Sequence, residues 1–255
     1  MFRVVIPARH ASTRLSGKPL ALLAGEPMIL HVLRIARRSG AAEVIVATDD
    51  ERIRAACAAA GAIAEMTSAT HATGTDRIAE IAARRGWADD EIVVNVQGDE
   101  PLLPHSLIAQ AASLLDANPT AAIATLATPI ASDAEYLDPN VVKVVARADG
   151  MALYFSRAPI PWDRDGSAAS PASRERHRGA RRHIGLYAYR VSALRALAAA
   201  PATVLELRER LEQLRALSIG LSIAVADAAE APGPGVDTPE DLARVVALMH
   251  NGPKT

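Results

Sequence analysis

The chain has 255 residues, half of them hydrophobic and only 3% aromatic, and its 28 basic and 29 acidic residues give a formal charge of −1. This length suffices for one full α/β core, and the balanced charge excludes the strongly basic surface of a nonspecific nucleic-acid binder. Lysine occurs only at Lys18, Lys143 and Lys254, so arginine supplies the other 25 basic residues.

The first half of the chain alternates short β-branched segments with longer segments of helical period, a pattern typical of βαβ units. Because the strand segments are almost wholly apolar, we expect helices on both faces of a parallel sheet. The fold class predicted is therefore α/β, with a doubly wound and mostly parallel sheet. The predicted strands are Arg3–Ile6, Val44–Ala47 and Ile92–Val96, and the predicted helices are Met28–Arg38, Glu51–Ala60, Asp76–Arg85 and His105–Ala117.

The second half of the chain changes character, because its strand segments are separated by turns and irregular stretches. This pattern predicts an antiparallel extension of the sheet. The segment Asp163–Ala180 is rich in Gly, Ser, Pro and Arg without periodicity, which predicts a mobile loop or lid. The predicted strands are Ala121–Thr128, Val141–Ala146 and Leu186–Tyr189, and helices are expected at Val204–Leu217 and Asp241–Met249.

Cysteine content and hydropathy bear on where the protein works. Cys57 is the single cysteine and lies in an Ala-rich predicted helix, so an internal disulfide framework is excluded. No segment resembles a signal peptide, and no apolar run reaches the roughly 18 residues of a spanning helix. We therefore expect a soluble, unprocessed cytoplasmic protein.

A loop with three cations follows the first predicted strand, at the edge where open α/β sheets bind ligands. Arg9, Arg14 and Lys18 lie on this loop with hydroxyls and a glycine between them, a composition that favours a polyphosphate cradle. The spacing is not that of a P-loop, since Pro19 stands where Ser or Thr would bind magnesium. No glycine-rich dinucleotide fingerprint follows a predicted strand. A solvated basic loop is the alternative.

Polar residues also follow the third predicted strand. Asp99 comes directly after Gly98, and a carboxylate at that place can hold a hard cation through oxygen ligands. Gln97 could contact a sugar or a base edge. A plain Gly-Asp turn is the alternative, and the neighbouring phosphate loop favours the metal hypothesis.

A second candidate carboxylate precedes the last predicted helix. Thr238 and Asp241 are spaced as a capping box, and Pro239 suits the first helical position. That local role leaves Asp237 unexplained. Asp237 is therefore the candidate second metal ligand.

The predicted strand around Leu186 carries a polar stripe. Alternation places His183, Gly185, Tyr187 and Tyr189 on one face. The stripe either faces a pocket or is a structural His–Tyr pair.

The helix predicted over Val204–Leu217 carries a second set of candidates. Leu207, Leu211 and Leu214 fall on its core stripe. Glu212 and Gln213 lie off that stripe, which leaves them able to face a ligand or a partner.

Taken together and in this order, the segments resemble the 3-deoxy-manno-octulosonate cytidylyltransferase family, the CMP-KDO synthetases. The resemblance runs from Val4 to about Val246. The first motif alone indicates only the wider nucleotidyltransferase superfamily, whereas the later ones are specific to the KDO enzymes. The motifs that carry the resemblance are Arg9–Leu20, His71–Arg77, Asn95–Pro101, Val142–Val145, Ala152–Trp162, Arg182–Tyr187, Leu211–Arg215 and Gly235–Leu242.

The resemblance implies transfer of CMP from CTP to the anomeric hydroxyl of KDO with release of pyrophosphate, which activates KDO for lipopolysaccharide biosynthesis. It also implies magnesium, a homodimer and a sheet of the nucleotide-diphospho-sugar transferase type. We expect one domain, with residues 1–120 as the nucleotide-binding core. Residues from roughly 121 to 220 would form the sugar-acid and dimerisation portion, and 221–255 would return to the core.

Carried over by position, the resemblance assigns roles to individual residues. The triphosphate would contact Arg9, Ser12, Arg14 and Lys18, and the cytidine would lie near Thr73, Gly74, Arg77 and Gln97. Asp99 and Asp237 would bind magnesium, and with Arg9, Arg14 and Lys18 they form the predicted catalytic set. The sugar acid would meet Arg157, His183, Tyr187, Glu212 and Gln213, with Arg157 as a cation for its carboxylate. Ser16 stands where the family often has proline, which should loosen the phosphate loop.

Two other functions stay open at this stage. One is a related nucleotidyltransferase that acts on sialic acid, another sugar acid or a sugar phosphate. The other is a nucleotide-binding module without catalysis, against which the paired carboxylates argue because binding alone does not need them. A nucleic-acid role is disfavoured by the balanced charge and the scarcity of aromatic residues.

Overall fold

The structure, a computed structural model, describes residues 1–11, 15, 17–164 and 176–251. The strands are β1 Phe2–Ala8, β2 Leu22–Leu23, β3 Glu26–Pro27, β4 Glu43–Thr48, β5 Ile63–Met66, β6 Ile92–Asn95, β7 Ile123–Pro129, β8 Lys143–Ala146, β9 Ala152–Ser156, β10 Arg181–Arg190 and β11 Ile223–Asp227. The helices are α1 Met28–Arg37, α2 Glu51–Ala59, α3 Gly74–Arg84, α4 His105–Asp116, α5 Asp133–Leu137, α6 Val191–Ala199, α7 Val204–Glu209, α8 Gln213–Ser218 and α9 Pro239–Asn251.

Within the described ranges, a sheet of nine strands forms the centre of the fold, and seven of them follow the order β11-β7-β10-β6-β1-β4-β5. Strands β6, β1, β4 and β5 run parallel. Strand β10 lies antiparallel between β6 and β7, and β8 and β9 extend the sheet from β10. The predicted parallel core and antiparallel extension are both confirmed.

Helices cover both faces of the sheet. One face packs against α1, α2 and α4 around residues such as Val4, Val94 and Leu126. The other packs against α3, α6 and α8 around Val5, Val93 and Ile123. The strands alternate which face each side chain meets, so wholly apolar strands are the expected result. The doubly wound arrangement predicted from those strands is confirmed.

The predicted elements recur with ends shifted by a few residues, and several short elements were not predicted. Strands β5, β9 and β11 and helix α6 belong to this group. β5 and β11 lie at the two ends of the main strand order, and β9 pairs with β8 alone. Strands with a neighbour on one side carry a weaker apolar pattern, as in the exposed and half-buried residues of Ile63–Met66.

The single helix predicted over Val204–Leu217 is wrong. Arg210 adopts a left-handed backbone with φ 55° and ends α7, and α8 begins only at Gln213. Leu207 is consequently 54% exposed, although Leu211 and Leu214 are buried as expected.

Among the described residues, no helix is long and apolar enough to cross a membrane. The predicted lid Asp163–Ala180 lies largely outside the described residues. Its described end forms a turn in which His177 contacts the Asp133 carboxylate at 2.8 Å.

Candidate active site

A cleft of about 560 Å³ opens where β1 and β6 end, within the size range of small-molecule sites. Its walls come from the loops after these two strands, the first turn of α3, strand β10, the segment between α7 and α8, and Asp237 before α9. The cleft therefore collects side chains from both halves of the sequence. Lys18 lies at one end, called the phosphate-loop corner, and strand β10 forms the other side, called the β10 wall.

Lys18 occupies the phosphate-loop corner. Its ammonium nitrogen lies 2.5 Å from Asp99 Oδ2 and 2.9 Å from Asp237 Oδ1. Although partial burial opposes it, the charge and hydrogen bonds of the two carboxylates raise the pKa of Lys18. The predicted cation and both predicted metal carboxylates thus lie together. Arg9 lines the same cleft, whereas Ser12, Arg14 and Ser16 lie outside the described residues.

The turn that presents Lys18 depends on Gly17. This glycine has φ 66°, a left-handed conformation that side chains disfavour, and its N–H donates to the His10 carbonyl at 3.3 Å. The backbone N–H of His10 in turn donates to Asp49 Oδ1. Gly17 and Asp49 therefore fix the described part of the loop that carries Arg9 and Lys18.

The two carboxylates are held by backbone contacts between their loops. The Val236 N–H donates to the Asp99 carbonyl at 2.9 Å. A Cβ on Gly235 would lie 2.9 Å from Glu100 Oε1, so the Glu100 carboxyl packs closely against this glycine. Burial, with the negative charge of Asp99, raises the pKa of Glu100 to about 8.

This corner offers a hard cation the donors it prefers. Both carboxylates reach one nitrogen, so a single positive charge already lies between them. Magnesium commonly takes one or two carboxylates and completes its shell with water and substrate phosphates. Among the described residues, no cluster of three or more His, Cys, Asp or Glu side chains could hold a metal. The donor set therefore fits a magnesium ion that phosphates help to bind.

The predicted cytidine residues lie on the α3 side of the cleft. Thr73 caps α3 in a capping box with Asp76, and Gly74 packs where a Cβ would meet Pro7 at 3.1 Å. Gln97 and Arg77 also line the cleft.

Arg77 differs from a free ligand-binding cation. Its guanidinium pairs with Asp49 at 2.5 Å and donates to the Thr67 hydroxyl at 2.7 Å, and the residue is 2% exposed. Because Asp49 also accepts from the phosphate loop, Arg77 connects α3 to that loop. The predicted cytidine contact stays a prediction, whereas a structural role is evident.

Strand β10 supplies the opposite wall. The alternation placed His183, Gly185, Tyr187 and Tyr189 on one face, and all four line the cleft, as the pocket alternative expects. The register of β10 against β7 shifts between Ile184 and Tyr187, yet the stripe still faces the cleft. His183 Nε2 lies 3.0 Å from the Thr125 hydroxyl, and burial lowers the pKa of His183 to about 3. His183 is therefore neutral at physiological pH.

The break at Arg210 turns Glu212 and Gln213 into the cleft, where both were predicted to face a ligand or partner. The Thr75 hydroxyl donates to Glu212 Oε2 at 2.8 Å. Desolvation raises the pKa of Glu212. Since Thr75 is in α3, this bond joins the predicted nucleotide side to the predicted sugar side.

Arg157 departs from the prediction for it. It is not among the residues that line the cleft. Its Nε donates to the Glu209 carbonyl at 2.6 Å and its Nη1 to the Pro139 carbonyl at 2.9 Å. The guanidinium is thus engaged in holding backbone, and the predicted contact with the acid's carboxylate stays a prediction.

Sequence reasoning missed several cleft residues. Arg182 and Arg210 are cations that line it, and Thr75 and Asn95 contribute polar groups. Arg182 is next to His183 in the same motif, and Asn95 begins the polar segment at the end of a predicted strand. The sequence could therefore have identified both as candidate cleft residues. Arg210 could not be identified from the sequence, because its position in the cleft depends on the break between α7 and α8.

The family model described as cytidylyltransferase matches residues 3–223. A 3-deoxy-manno-octulosonate cytidylyltransferase of Thioalkalivibrio sulfidiphilus is 55% identical over 97% of this chain and 98% of its own length. A protein of the same name from Halorhodospira halophila is 54% identical over 98% of this chain and 97% of its own.

Two solved structures show the same architecture. A CMP:2-keto-3-deoxy-manno-octonic acid synthetase complexed with CTP is 41% identical, with a TM-score of 0.87 over 98% of this chain and 99% of that one. A 4-diphosphocytidyl-2C-methyl-D-erythritol synthase is 15% identical, with a TM-score of 0.62 over 97% and 98% of the two chains, and shares the fold alone.

Proposed function

The chain belongs to the cytidylyltransferase family and, within it, to the 3-deoxy-manno-octulosonate cytidylyltransferases. From this premise we propose that it transfers CMP from CTP to the anomeric hydroxyl of KDO and releases pyrophosphate. KDO carries that hydroxyl on C2, the same carbon that bears its carboxylate. The acceptor is therefore an acid whose charge lies next to the reacting oxygen.

The observation that carries this proposal is the joining of two chemically different walls in one cleft. The first wall holds Lys18 between Asp99 and Asp237. The second holds His183 and Glu212, neutral or weakly acidic groups suited to sugar hydroxyls. A polyphosphate fits the first wall, and a polyhydroxylated acceptor fits the second.

Attack on an α-phosphate depends on in-line positioning and on neutralising charge, with little covalent participation by the protein. Lys18 and Arg9 would balance the charge that develops on the departing pyrophosphate, and we propose that Arg14 joins them with Ser12 near the triphosphate. Thr73, Gly74 and Gln97 would position the cytidine on the α3 side. His183, Tyr187 and Gln213 would orient the acceptor on the β10 side.

Asp99 and Asp237 are the residues that would hold magnesium. The bound ion would polarise the α-phosphate and favour loss of the acceptor's proton. Lys18 lies between the two carboxylates in the structure, so we expect its ammonium to move toward the phosphates when substrate binds. Replacing Asp99 with Asn should abolish most turnover, and near-normal turnover in that variant would remove Asp99 from this role.

For the carboxylate of KDO we propose Arg182 in place of Arg157. Arg182 lines the cleft next to His183, and it forms a long ion pair of 3.4 Å with Glu135. Its positive charge also acts on Glu100, beside the predicted metal carboxylates. A cation at this place suits an acid group attached to the reacting carbon.

The proposal extends to the setting of the reaction. CMP-KDO formation would serve lipopolysaccharide biosynthesis in the cytoplasm, and the buried Cys57 thiol is compatible with a reducing compartment. We also propose a homodimer. Leu153 on β9 and Trp162 beyond it are 58% and 60% exposed, as an apolar contact surface between copies requires.

Magnesium-dependent turnover tests whether the protein is an enzyme at all. Incubation with CTP, KDO and magnesium should release pyrophosphate and form a CMP–sugar, and omission of any one component should prevent both. CTP binding without turnover under these conditions would instead identify a nucleotide-binding module.

A further inference from the structure

Lys143 is a buried basic side chain that the proposed mechanism does not use. It is the first residue of β8 and is 0% exposed. It is also one of only three lysines in the chain. Burying a charged group is costly unless that group is paired or fully hydrogen-bonded, so the contacts of Lys143 indicate what it does.

Three backbone carbonyls surround the Lys143 ammonium. Its nitrogen donates to the carbonyls of Val141 at 2.6 Å, Arg157 at 2.7 Å and Asp138 at 2.9 Å. An ammonium has three donors, so all of its hydrogens are engaged. Burial lowers the pKa of Lys143, but a neutral amine would have only two hydrogens for three acceptors. The charged form is therefore the one that satisfies this arrangement.

The three carbonyls belong to two segments that meet only in the fold. Two of them precede β8, whereas the carbonyl of Arg157 directly follows β9. Asn140 and Val142 lie in the first segment and line the cleft. The Val142 carbonyl also accepts from the His183 N–H at 2.8 Å. Lys143 thus fastens a cleft-lining segment to the end of β9.

Arg157 extends this connection to α7. Its Nε donates to the Glu209 carbonyl at 2.6 Å. Glu209 directly precedes Arg210, whose left-handed conformation begins the segment that carries Glu212 into the cleft. Through the backbone of Arg157, Lys143 is therefore connected to both segments that line this part of the cleft.

We propose that Lys143 is a positioning residue for the sugar side of the cleft, the part lined by Asn140, Val142, His183 and Glu212. It contacts no substrate, and its ammonium fixes the backbone that carries these residues. The inference rests on the proposed function and adds a role for Lys143, to which the motif resemblance gives none.

The expected consequence of losing Lys143 is confined to the acceptor. None of the three carbonyls belongs to the phosphate-loop corner, where Lys18 contacts Asp99 and Asp237. Transfer to an α-phosphate depends on in-line alignment, and a displacement of about 1 Å can cost on the order of 100-fold in rate. A shifted sugar side should therefore impair use of KDO while CTP binds as before.

Lys143→Met tests the inference. Methionine has a similar length but no donor, so three buried carbonyls lose their partner. At saturating CTP, kcat/KM for KDO should fall about tenfold or more, whereas KM for CTP should stay within about twofold of the wild-type value. Lys143→Gln keeps two donors without the charge and should give a smaller loss of the same kind. The melting temperature reports whether each variant folds.

Arg190→Met is the matched control. The Arg190 side chain also donates to three backbone carbonyls, those of Leu115, Asn118 and Ala121. Arg190 pairs with Ile92 at the start of β6, whereas the cleft opens where β6 ends. Its replacement should lower the melting temperature and leave the kinetic constants for both substrates unchanged.

Three kinetic results would overturn the inference. They are unchanged kcat/KM for KDO in Lys143→Met, KM values for CTP and KDO that rise equally in that variant, and the same kinetic loss in Arg190→Met. Failure of both Lys143 variants to fold would also overturn it, because Lys143 would then serve the whole fold. Wild-type enzyme that turns over KDO in the same assay keeps these outcomes separate from a failure of the proposed function.

Discussion

Lys18 departs from the chain's strong preference for arginine. Its nitrogen contacts carboxylates from two loops that are 138 residues apart in the numbering, Asp99 and Asp237. A compact ammonium can be shared between two carboxylates at 2.5 and 2.9 Å, whereas a planar guanidinium presents its donors in a fixed fork. The geometry therefore favours lysine at this position beyond the need for charge.

Lys18→Arg should impair turnover although it preserves charge. We expect kcat to fall about tenfold or more, because the larger fork displaces the carboxylates or misplaces the phosphates. Steady-state kinetics with CTP and KDO measure this effect. Arg147→Lys is the matched control, because it also exchanges one basic residue for another, in an exposed ion pair with Asp149. It should leave kcat unchanged. Wild-type kcat in Lys18→Arg would show that the choice of lysine means nothing here.

His183 provides a pH test at the same scale. Its pKa is lowered to about 3 by burial, so the native protein leaves it neutral at a pH where the unfolded chain, with a pKa near 6.5, is protonated. The unfolded state then binds more protons, and stability falls as pH drops below about 6.5.

Between pH 7 and pH 5, wild type should therefore lose more unfolding free energy than His183→Asn, with a difference of at most about 1.4 kcal/mol per pH unit. Urea unfolding at both pH values measures it. An imidazole NMR signal of His183 that titrates near pH 6.5 would contradict this account.

Residue roles were predictable where local sequence sets the geometry. Thr238 and Asp241 make the capping box that their spacing indicated, with N–H to oxygen distances of 3.0 and 3.2 Å. Arg157 was not predictable, since the carbonyls that engage it come from Pro139 and Glu209, far away in sequence. The motif identified Arg157 as a conspicuous cation but carried no information about which groups it contacts.

At the scale of elements, the α7–α8 break decides what reaches the cleft. Leu207, Leu211 and Leu214 have helical spacing, which led to one predicted helix. Arg210 instead takes a left-handed conformation that is unfavourable for side chains other than glycine. Such strain is tolerated when surrounding contacts outweigh it, and those contacts come from distant elements.

Glu209 supplies such contacts just before the break. Its carboxylate accepts from the Ser156 hydroxyl at 2.7 Å and from the Arg157 N–H at 2.8 Å. These bonds fasten the end of α7 to the end of β9. Glu209 is thus a positioning residue for the sugar side of the cleft.

Glu209→Ala should lower the unfolding free energy by about 1–3 kcal/mol, because buried donors lose their acceptor. It should also raise KM for KDO several-fold and leave KM for CTP unchanged, since Glu209 holds Ser156 and Arg157 on the sugar side of the cleft. Arg208→Ala, at an exposed neighbour, serves as the control and should match wild type. Equal changes in both KM values would argue against a specific positioning role.

For the whole molecule, the parallel core followed from apolar periodicity, which reports burial on both faces of a sheet. The position of β10 between β6 and β7 could not be predicted in this way, because strand order depends on pairing between residues that are distant in sequence. That insertion brings Tyr187 opposite Asn95, and both residues line the cleft. The motif residues were predictable and their convergence was not.

The exposed apolar residues of the β8–β9 extension give a prediction at this scale. Light scattering should report a mass of twice 26.8 kDa. Leu153→Lys with Trp162→Lys should shift that mass to a monomer, because charges replace an apolar contact. Arg147→Lys leaves the apolar surface intact and should remain a dimer. A monomeric wild type would contradict the proposed assembly.

The central claim is that one cleft joins CTP to KDO. It is tested most directly by pyrophosphate release from CTP in the presence of magnesium, measured as kcat/KM across KDO, sialic acid and a sugar phosphate. We predict that KDO exceeds each of the others by about a hundredfold or more, since the β10 wall is matched to one pattern of acid and hydroxyl groups. Faster release with sialic acid or the sugar phosphate would contradict the account.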